Sequence, residues 1–489
     1  MENYFKHWLV HNPFSIYIEV LVANLPHILV RVISVENFDS KKMMRPITRK
    51  KVCVNERVNR NQEKPDFIST LPDDVLSSII SSLSIDEAAR SSILSKRWTP
   101  LWKHASHLDF DGTRMVKPSL HATEKASREY GKLVDSILHH HLGDLSSCRF
   151  IHFPSNLAFG DVTEWMDYVM EKNKSLTHLS LECRSSSCGG NTQYMNPNFQ
   201  SKIFSVLSSL ELTNYVLQSS VLSVFENCEN LKVLKLKKTT MKNEIIDGIL
   251  KKCPGLEEFS LIDSMGFDML KIKSPYLRFL ELKKLRFDQI EVYAEDLQVV
   301  VIDSIFCPTK FLKIYSQNLR NFSSSYDQKA HMSLKTHEIL ENCSDLLEPQ
   351  TTNIFQFLMT LSIQLNMNNL REVLPFSYIL RSCIHLKTLE ITIPIVEAFE
   401  DCELPYPKSI FWERQQIYNC INHKLKFVTV RGFTGKVQEV KFLKHLITRG
   451  CVMEKINVIC DSRFVDEAND LLSLPRASHH LSIIVKSKT

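Results

Sequence analysis

Glycine is scarce, 12 residues in 489, which excludes a collagen-like repeat and Gly-rich low-complexity chain. Cysteine is present thirteen times, but never as C-x-x-C. Cys183 and Cys188 come closest and have no matching second pair, which argues against a zinc ribbon. The odd count and wide scatter fit a reducing compartment. A membrane-spanning run is missing as well. Phe14 to Val35 is apolar, but Glu19, Pro26, His27 and Arg31 interrupt it, and a spanning helix wants about twenty predominantly apolar residues. A basic start, a compact apolar run and a small-residue cleavage site do not occur together there, so a secretory signal fits poorly. No P-loop, G-x-G-x-x-G, H-E-x-x-H or G-x-S-x-G is found, and an enzyme is the weakest reading. His139-His140-His141 reads as an exposed helix end, because adjacent helical residues point in different directions and cannot share a metal.

What is present is an ordinary soluble composition, 44% hydrophobic and 24% charged, with room for two to four domains. The net charge of +5 is local. Residues 41–64 hold nine Lys or Arg against Glu56 and Glu63, or +7, leaving −2 for the rest. The folded part is therefore not basic, and no global footprint for nucleic acid exists. Lys41 to Arg60 reads either as a nuclear import signal or as a solvated linker. Residues 1–42 read either as an extension upstream of a start at Met43 or Met44, or as an N-terminal element packed on the body.

Three short helices are expected between residues 66 and 112. Pro72 fits a first helical position, Asp73 and Asp74 complement the positive end of the helix dipole, and Val75, Leu76, Ile79, Ile80 and Leu83 follow at helical spacing. Ser84 and Glu87 form an S-x-x-E capping box for a second helix. Ser95 caps a third, with Trp98, Leu101 and Trp102 on one face. A unit this small buries a low fraction of its apolar surface, so the remainder calls for a partner.

Leu71-Pro72-Asp73-Asp74-Val75-Leu76, then Ala88-Ala89-Arg90-Ser91-Ser92-Ile93-Leu94-Ser95-Lys96-Arg97-Trp98, then Leu101-Trp102, resembles the plant F-box. The resemblance implies docking onto a Skp-type adaptor and, through it, a cullin-based ubiquitin ligase. The adaptor-binding residues it implies are Leu71, Pro72, Val75, Leu76, Ile79, Leu94, Trp98, Leu101 and Trp102, divided between the unit's core and its contact face.

Downstream of about residue 145 one phrase recurs: a small residue, two variable residues, Leu, two variable, apolar, one variable, apolar. Asn173 leads to Leu176, Leu179 and Leu181; Cys228 to Leu231, Leu234 and Leu236; Cys253 to Leu256, Phe259 and Leu261; Cys383 to Leu386, Leu389 and Ile391. Ser274, Ala294 and Ser316 lead further copies, Leu207, Leu210 and Leu212 fit with a shifted lead, and Cys343 with Leu346 is a degraded copy. This is the leucine-rich repeat signature. The leading cysteines read as packed small hydrophobes, with Cys228, Cys253 and Cys383 unpaired in separate layers. Leu231 to Leu256 spans 25 residues and has room for a helix, whereas Leu256 to Leu277 spans 21 and Leu277 to Leu297 spans 20. There, Leu270-Lys271-Ile272-Lys273 and Ile290-Glu291-Val292-Tyr293 alternate like strands. A curved, irregular horseshoe with a mixed outer face follows.

Trp412, the Leu425-Lys426-Phe427-Val428 strand, the Gly432-Phe433 turn and Glu454-Lys455-Ile456 resemble the FBD domain of plant F-box proteins, over about Pro405 to Cys460. A helix between these strands should stop at Gly450. The whole resembles the plant F-box/FBD/LRR-repeat family. The expected fold is α/β: an N-terminal extension and linker (1–65), a three-helix F-box (66–112), an irregular leucine-rich-repeat solenoid (145–400) and an α+β FBD cap (405–489). The implied function is substrate recognition for a Skp-cullin-F-box ligase. A ligand-dependent receptor and a non-degradative scaffold on the same adaptor are the alternatives. No cofactor, metal, nucleic acid or membrane is expected, the target protein is unspecified, and the location is nucleus, cytoplasm or both.

Overall fold

A computed structural model describes residues 71–91, 97–98, 100–117, 123–158, 161–173, 175–184, 203–226, 228–307, 312–327, 334–343, 355–394, 410–414 and 418–488. The N-terminal extension, the basic run, Leu94, Ser95 and Leu346 lie outside them. Two helices, Asp73–Ser81 and Ile85–Ser91, and a 3-10 turn, Leu101–His104, come first. From His107–Asp111 to Ser482–Lys488, fourteen strands then form one sheet, every pairing parallel. No helix among the described residues is long and apolar enough to cross a membrane.

The repeat phrase explains the sheet. The leading residue closes a tight turn: Leu231, Leu256 and Leu386 donate their N–H to the carbonyls of Cys228, Cys253 and Cys383 at 3.2–3.3 Å. The next residue bonds to the preceding repeat, Glu257 N–H to Lys232 carbonyl at 2.8 Å and Arg278 N–H to Glu257 carbonyl at 2.8 Å. The alternating leucines then point inward, and Leu234, Leu236, Phe259 and Leu261 are fully buried. Each strand thus hides its apolar face against its neighbours in the stack.

Strand exit follows one device. Asn214, Lys238, Asp263, Lys284 and Ser304 all have left-handed backbones, φ +50° to +63°. They directly follow Thr213, Lys237, Ile262, Lys283 and Asp303, which stand side by side in five consecutive strands. Gly432, φ +76°, follows Arg431 near the far end. A non-glycine residue there costs about 1 kcal/mol. The cost is offset by cross-strand bonds, Lys238 N–H to Ile262 carbonyl and Asp263 N–H to Lys283 carbonyl, both 2.8 Å. At Gly432 a Cβ would stand 2.6 Å from the Ile393 carbonyl oxygen, so glycine is required.

The outer layer is mixed. Helices Glu124–His140, Asp161–Lys172, Asn243–Lys252, Leu370–Ser382 and Val437–Arg449 cover the long repeats. In the short ones, Met269–Lys273, Gln289–Tyr293 and Leu312–Tyr315 make a separate three-stranded parallel sheet. Its outward Tyr293 and Tyr315 stack at 4.6 Å.

The C-terminal strands Phe427–Phe433, Lys455–Asp461 and Ser482–Lys488 continue the repeat sheet in register. Trp412 Nε1–H donates to Gln438 Oε1 at 2.9 Å, Tyr418 and Ser377 hydroxyls meet at 3.1 Å, and Asn368 Nδ2–H donates to Glu439 Oε1 at 3.1 Å. The last two of these buried polar bonds join the cap to the last repeat helix and the turn before it. Helix Val437–Arg449 ends before Gly450, but with φ −78° rather than the left-handed stop expected. Glycine is needed there for space: a Cβ would lie 2.8 Å from both the Leu446 carbonyl oxygen and Met453 Cε.

Candidate adaptor face and recognition surface

Helix Asp73–Ser81 starts one residue later than the proline preference implies. Pro72 is its N-cap, and its carbonyl accepts from Val75 and Leu76 N–H at 3.1 Å. Asp73 and Asp74 occupy the first turn as expected. Arg97 locks this end, its Nε–H donating to Asp73 Oδ1 at 2.8 Å and its Nη2–H to the Leu71 carbonyl. Among the described residues of the expected third helix, Trp98 and Pro100 lie in a turn, with Leu101 N–H on the Trp98 carbonyl at 3.2 Å, and Leu101–His104 is a 3-10 helix.

The residues singled out from sequence separate into two sets. Leu76, Trp98 and Leu101 are buried with Ile80, Ile85 and Ala88. Leu71, Ile79 and Trp102 are half-buried, and Pro72 and Val75 are exposed. Pro72, Val75 and Ile79 follow at helical spacing, so an apolar stripe runs along one side of the first helix. Leu94 lies outside the described residues.

The capping box is only half formed. The Ser84 hydroxyl donates to Asp86 Oδ1 at 2.7 Å and Glu87 Oε2 at 3.0 Å rather than accepting from the helix. Burial alone would raise the Glu87 carboxyl. The Arg114 guanidinium at 2.7 Å and bonds from Ser84 outweigh it and hold the group below the usual carboxylate range. Arg114 follows the first strand, so this pair joins the helical unit to the sheet.

Other bonds make the same junction. Leu142 and Gly143 donate their N–H to the Lys103 carbonyl at 2.8 and 3.0 Å. His141 does not belong to an exposed helix end. It is buried, with Nε2 2.9 Å from the Ala105 carbonyl oxygen. Only His139 and His140 are exposed, each folding Nδ1 back onto a carbonyl of the last turn.

The sheet's outward side chains form rows in register. One row runs Asp109, Arg149, Ser180, Glu211, Lys235, Ser260, Glu281 and Val301 across consecutive strands. Its first part mixes Asp109 and Glu211 with Arg149, its middle ends on half-exposed Val301, and its continuation runs through Ser323, Ser362, Glu390 and Thr429. His107 beside it is shifted below its ordinary value, chiefly by burial.

The repeat cysteines are buried free thiols, but not in isolated layers. Cys228 and Cys253 of adjacent repeats meet. Each thiol perturbs the other, and the neighbouring Cys228 together with burial raises Cys253. Cys383 is raised by burial and by nearby Cys420. Signals missed in the sequence include His152, wholly buried, whose Nε2 lies 2.6 Å from the Tyr215 hydroxyl.

The family model for the F-box domain matches residues 68–106. That for the LRR repeats of FBD-associated F-box protein At5g56370 matches residues 163–391, and that for FBD residues 416–458. F-box protein At1g80960 of Arabidopsis thaliana is 30% identical over 421 residues, covering 80% of this chain and 83% of that protein. Putative F-box protein At1g67390 of the same plant is 25% identical, covering 86% and 91%. F-box/FBD/LRR-repeat protein At3g14710, also of Arabidopsis thaliana, is 23% identical, covering 86% and 94%.

Proposed function

Because the chain belongs to the F-box/FBD/LRR-repeat family of plant proteins, we propose that it is the target-recognition subunit of a Skp-cullin-F-box ubiquitin ligase. In this reading residues 66–112 dock on the adaptor, while the solenoid at 145–400 and the cap at 405–489 hold the target. The observation that carries it is the apolar stripe of Pro72, Val75 and Ile79, with half-buried Leu71 and Trp102 also reaching the surface, over a core of Leu76, Trp98 and Leu101. Central apolar anchors of this kind can contribute ~2 kcal/mol or more each to an interface. Direct bonding between the helical unit and the sheet, through Arg114, His141 and Gly143, supports a fixed spacing between adaptor and target. The chain's contribution is then proximity: it raises the effective concentration of a target lysine near the ubiquitin-conjugating enzyme. The test is affinity capture with the proteasome blocked, comparing the full chain with one lacking residues 145–489. Proteins that associate only with the full chain, and whose ubiquitination falls when the chain is deleted, support the reading. Associated proteins with unchanged ubiquitination would replace it with a scaffold.

A further inference from the structure

The last repeats and the cap share a surface that nothing in the fold uses. Arg320, Met359, Lys387 and Lys426 stand side by side at strand entry, linked by backbone bonds from Met359 N–H to the Arg320 carbonyl at 2.7 Å, Lys387 N–H to Met359 at 2.9 Å and Lys426 N–H to Lys387 at 2.9 Å. One position on, Thr388, Phe427 and Lys455 are neighbours in register. In the turn just before, Phe357 stacks on His385, rings 6.0 Å apart and 13° from parallel. Phe357 is 47% exposed and Phe427 41%. These two aromatics, one on each side of the junction between repeats and cap, are open to a partner.

Cations gather at the strand entry, with Glu390 two residues beyond Thr388 on its strand. Lys426 is paired with Glu454 at 2.7 Å. Arg320, Lys387 and Lys455 are exposed, and no carboxylate among the described residues lies within ion-pair distance of them. The rim therefore offers two aromatic platforms among three uncompensated cations on a chain whose residues 65–489 carry no net charge. Charge complementarity selects an anionic occupant, and the aromatics select one with apolar side chains between its charges.

We infer that this rim, centred on Phe357, His385, Lys387 and Phe427, docks an acidic, aromatic- or leucine-bearing peptide segment of the target. The inference rests on the target-recognition reading and gives the target's chemistry. Phe357 and Phe427 take the apolar anchors; Arg320, Lys387 and Lys455 pair with flanking carboxylates. It also gives the cap a role in binding, because Phe427 and Lys455 belong to its strands.

The test is fluorescence anisotropy with the full chain purified with its adaptor. The probe is a labelled twelve-residue peptide with a Leu-Phe pair flanked by aspartates. Controls are the same peptide with lysines for aspartates, one with serines for the Leu-Phe pair, and a single-stranded RNA oligonucleotide. The account expects binding of the acidic peptide only, weakened by added salt. The Lys387→Glu/Lys455→Glu variant should lose about tenfold and gain affinity for the lysine peptide, and Phe427→Ser should lose a comparable factor. Equal binding of acidic and lysine peptides, unchanged affinity in both variants, binding that survives the serine replacement, or binding of the RNA alone would each overturn it. Adaptor co-purification in the same samples separates this outcome from failure of the ligase reading: a chain that holds adaptor but ignores the peptide refutes only the rim.

Discussion

His152 makes the solenoid sensitive to acid, and the size of the effect follows from its surroundings. It ends the strand Ser147–His152 and is fully buried. Its Nδ1 lies 3.0 Å from the Phe153 carbonyl oxygen and its Nε2 2.6 Å from the Tyr215 hydroxyl. That pattern suits the neutral ring, with Nδ1–H donating and Nε2 accepting. Burial lowers the imidazole from 6.5 to about 4, with the bond to Phe153 opposing in part. In the unfolded chain the ring takes a proton below about pH 6.5. The native state refuses it until about pH 4, so the unfolded state binds more protons and stability falls as pH drops through that window. The full shift corresponds to roughly 3 kcal/mol, and the part reached between pH 7 and 5 to about 2 kcal/mol. His337 and His445, each lowered to about 4 chiefly by burial, push the same way. The perturbation is His152→Gln, which keeps an acceptor for Tyr215 and cannot titrate. Urea unfolding of wild type and variant at pH 7, 6 and 5 measures the difference in slope. The variant should start less stable and lose about 2 kcal/mol less on acidification. Parallel stability curves would show that His152 is protonated in the folded protein and that its buried neutral state is wrong.

Lys284→Gly should raise the melting temperature by relieving a left-handed backbone worth about 1 kcal/mol, less the entropy glycine adds to the unfolded chain; a thermal melt showing a fall would mean that the Lys284 side chain has a packing role. Native alkylation with quantitation by site should label exposed Cys451 quickly and leave Cys228, Cys253 and Cys383 protected; fast modification of all three would show that the repeat turns open. Truncation at about residue 400 would remove the partner of strand Thr388–Thr392 and uncover Phe376, which contacts Phe442 at 6.1 Å. Light scattering should then find oligomers, and a soluble monomer of unchanged repeat stability would mean that the cap folds and acts separately.

Leucine spacing made the repeats readable because each strand must bury the same alternate positions, as Leu234 and Leu236 do beside Phe259 and Leu261. The alternation of Leu270 to Lys273 and Ile290 to Tyr293 likewise revealed the outer sheet. The early strands His107–Asp111 and Ser147–His152 escaped notice, since Phe110 and Phe150 stand where leucines recur elsewhere and stack at 4.9 Å. The left-handed exits were invisible for a different reason. Asn214, Lys238, Asp263, Lys284 and Ser304 share a backbone requirement and no side-chain type. His141 and the Cys228–Cys253 contact depend on partners 25 or more residues away, which a local pattern does not encode. In the first helical unit the residue types were legible, but which of them lie inside was not. The 3-10 turn at Leu101–His104 leaves Leu101 buried and Trp102 half-buried.

The central claim is that the first helical unit is an adaptor-docking surface, and purified Skp-type adaptor tests it most directly. Wild type and a Leu71→Ala/Pro72→Ala variant would be mixed with adaptor and resolved by gel filtration, with thermal unfolding as the check on the repeats. The account predicts a stable complex for wild type, none for the double variant, and superimposable unfolding of the solenoid. Undiminished complex formation by the double variant would contradict it.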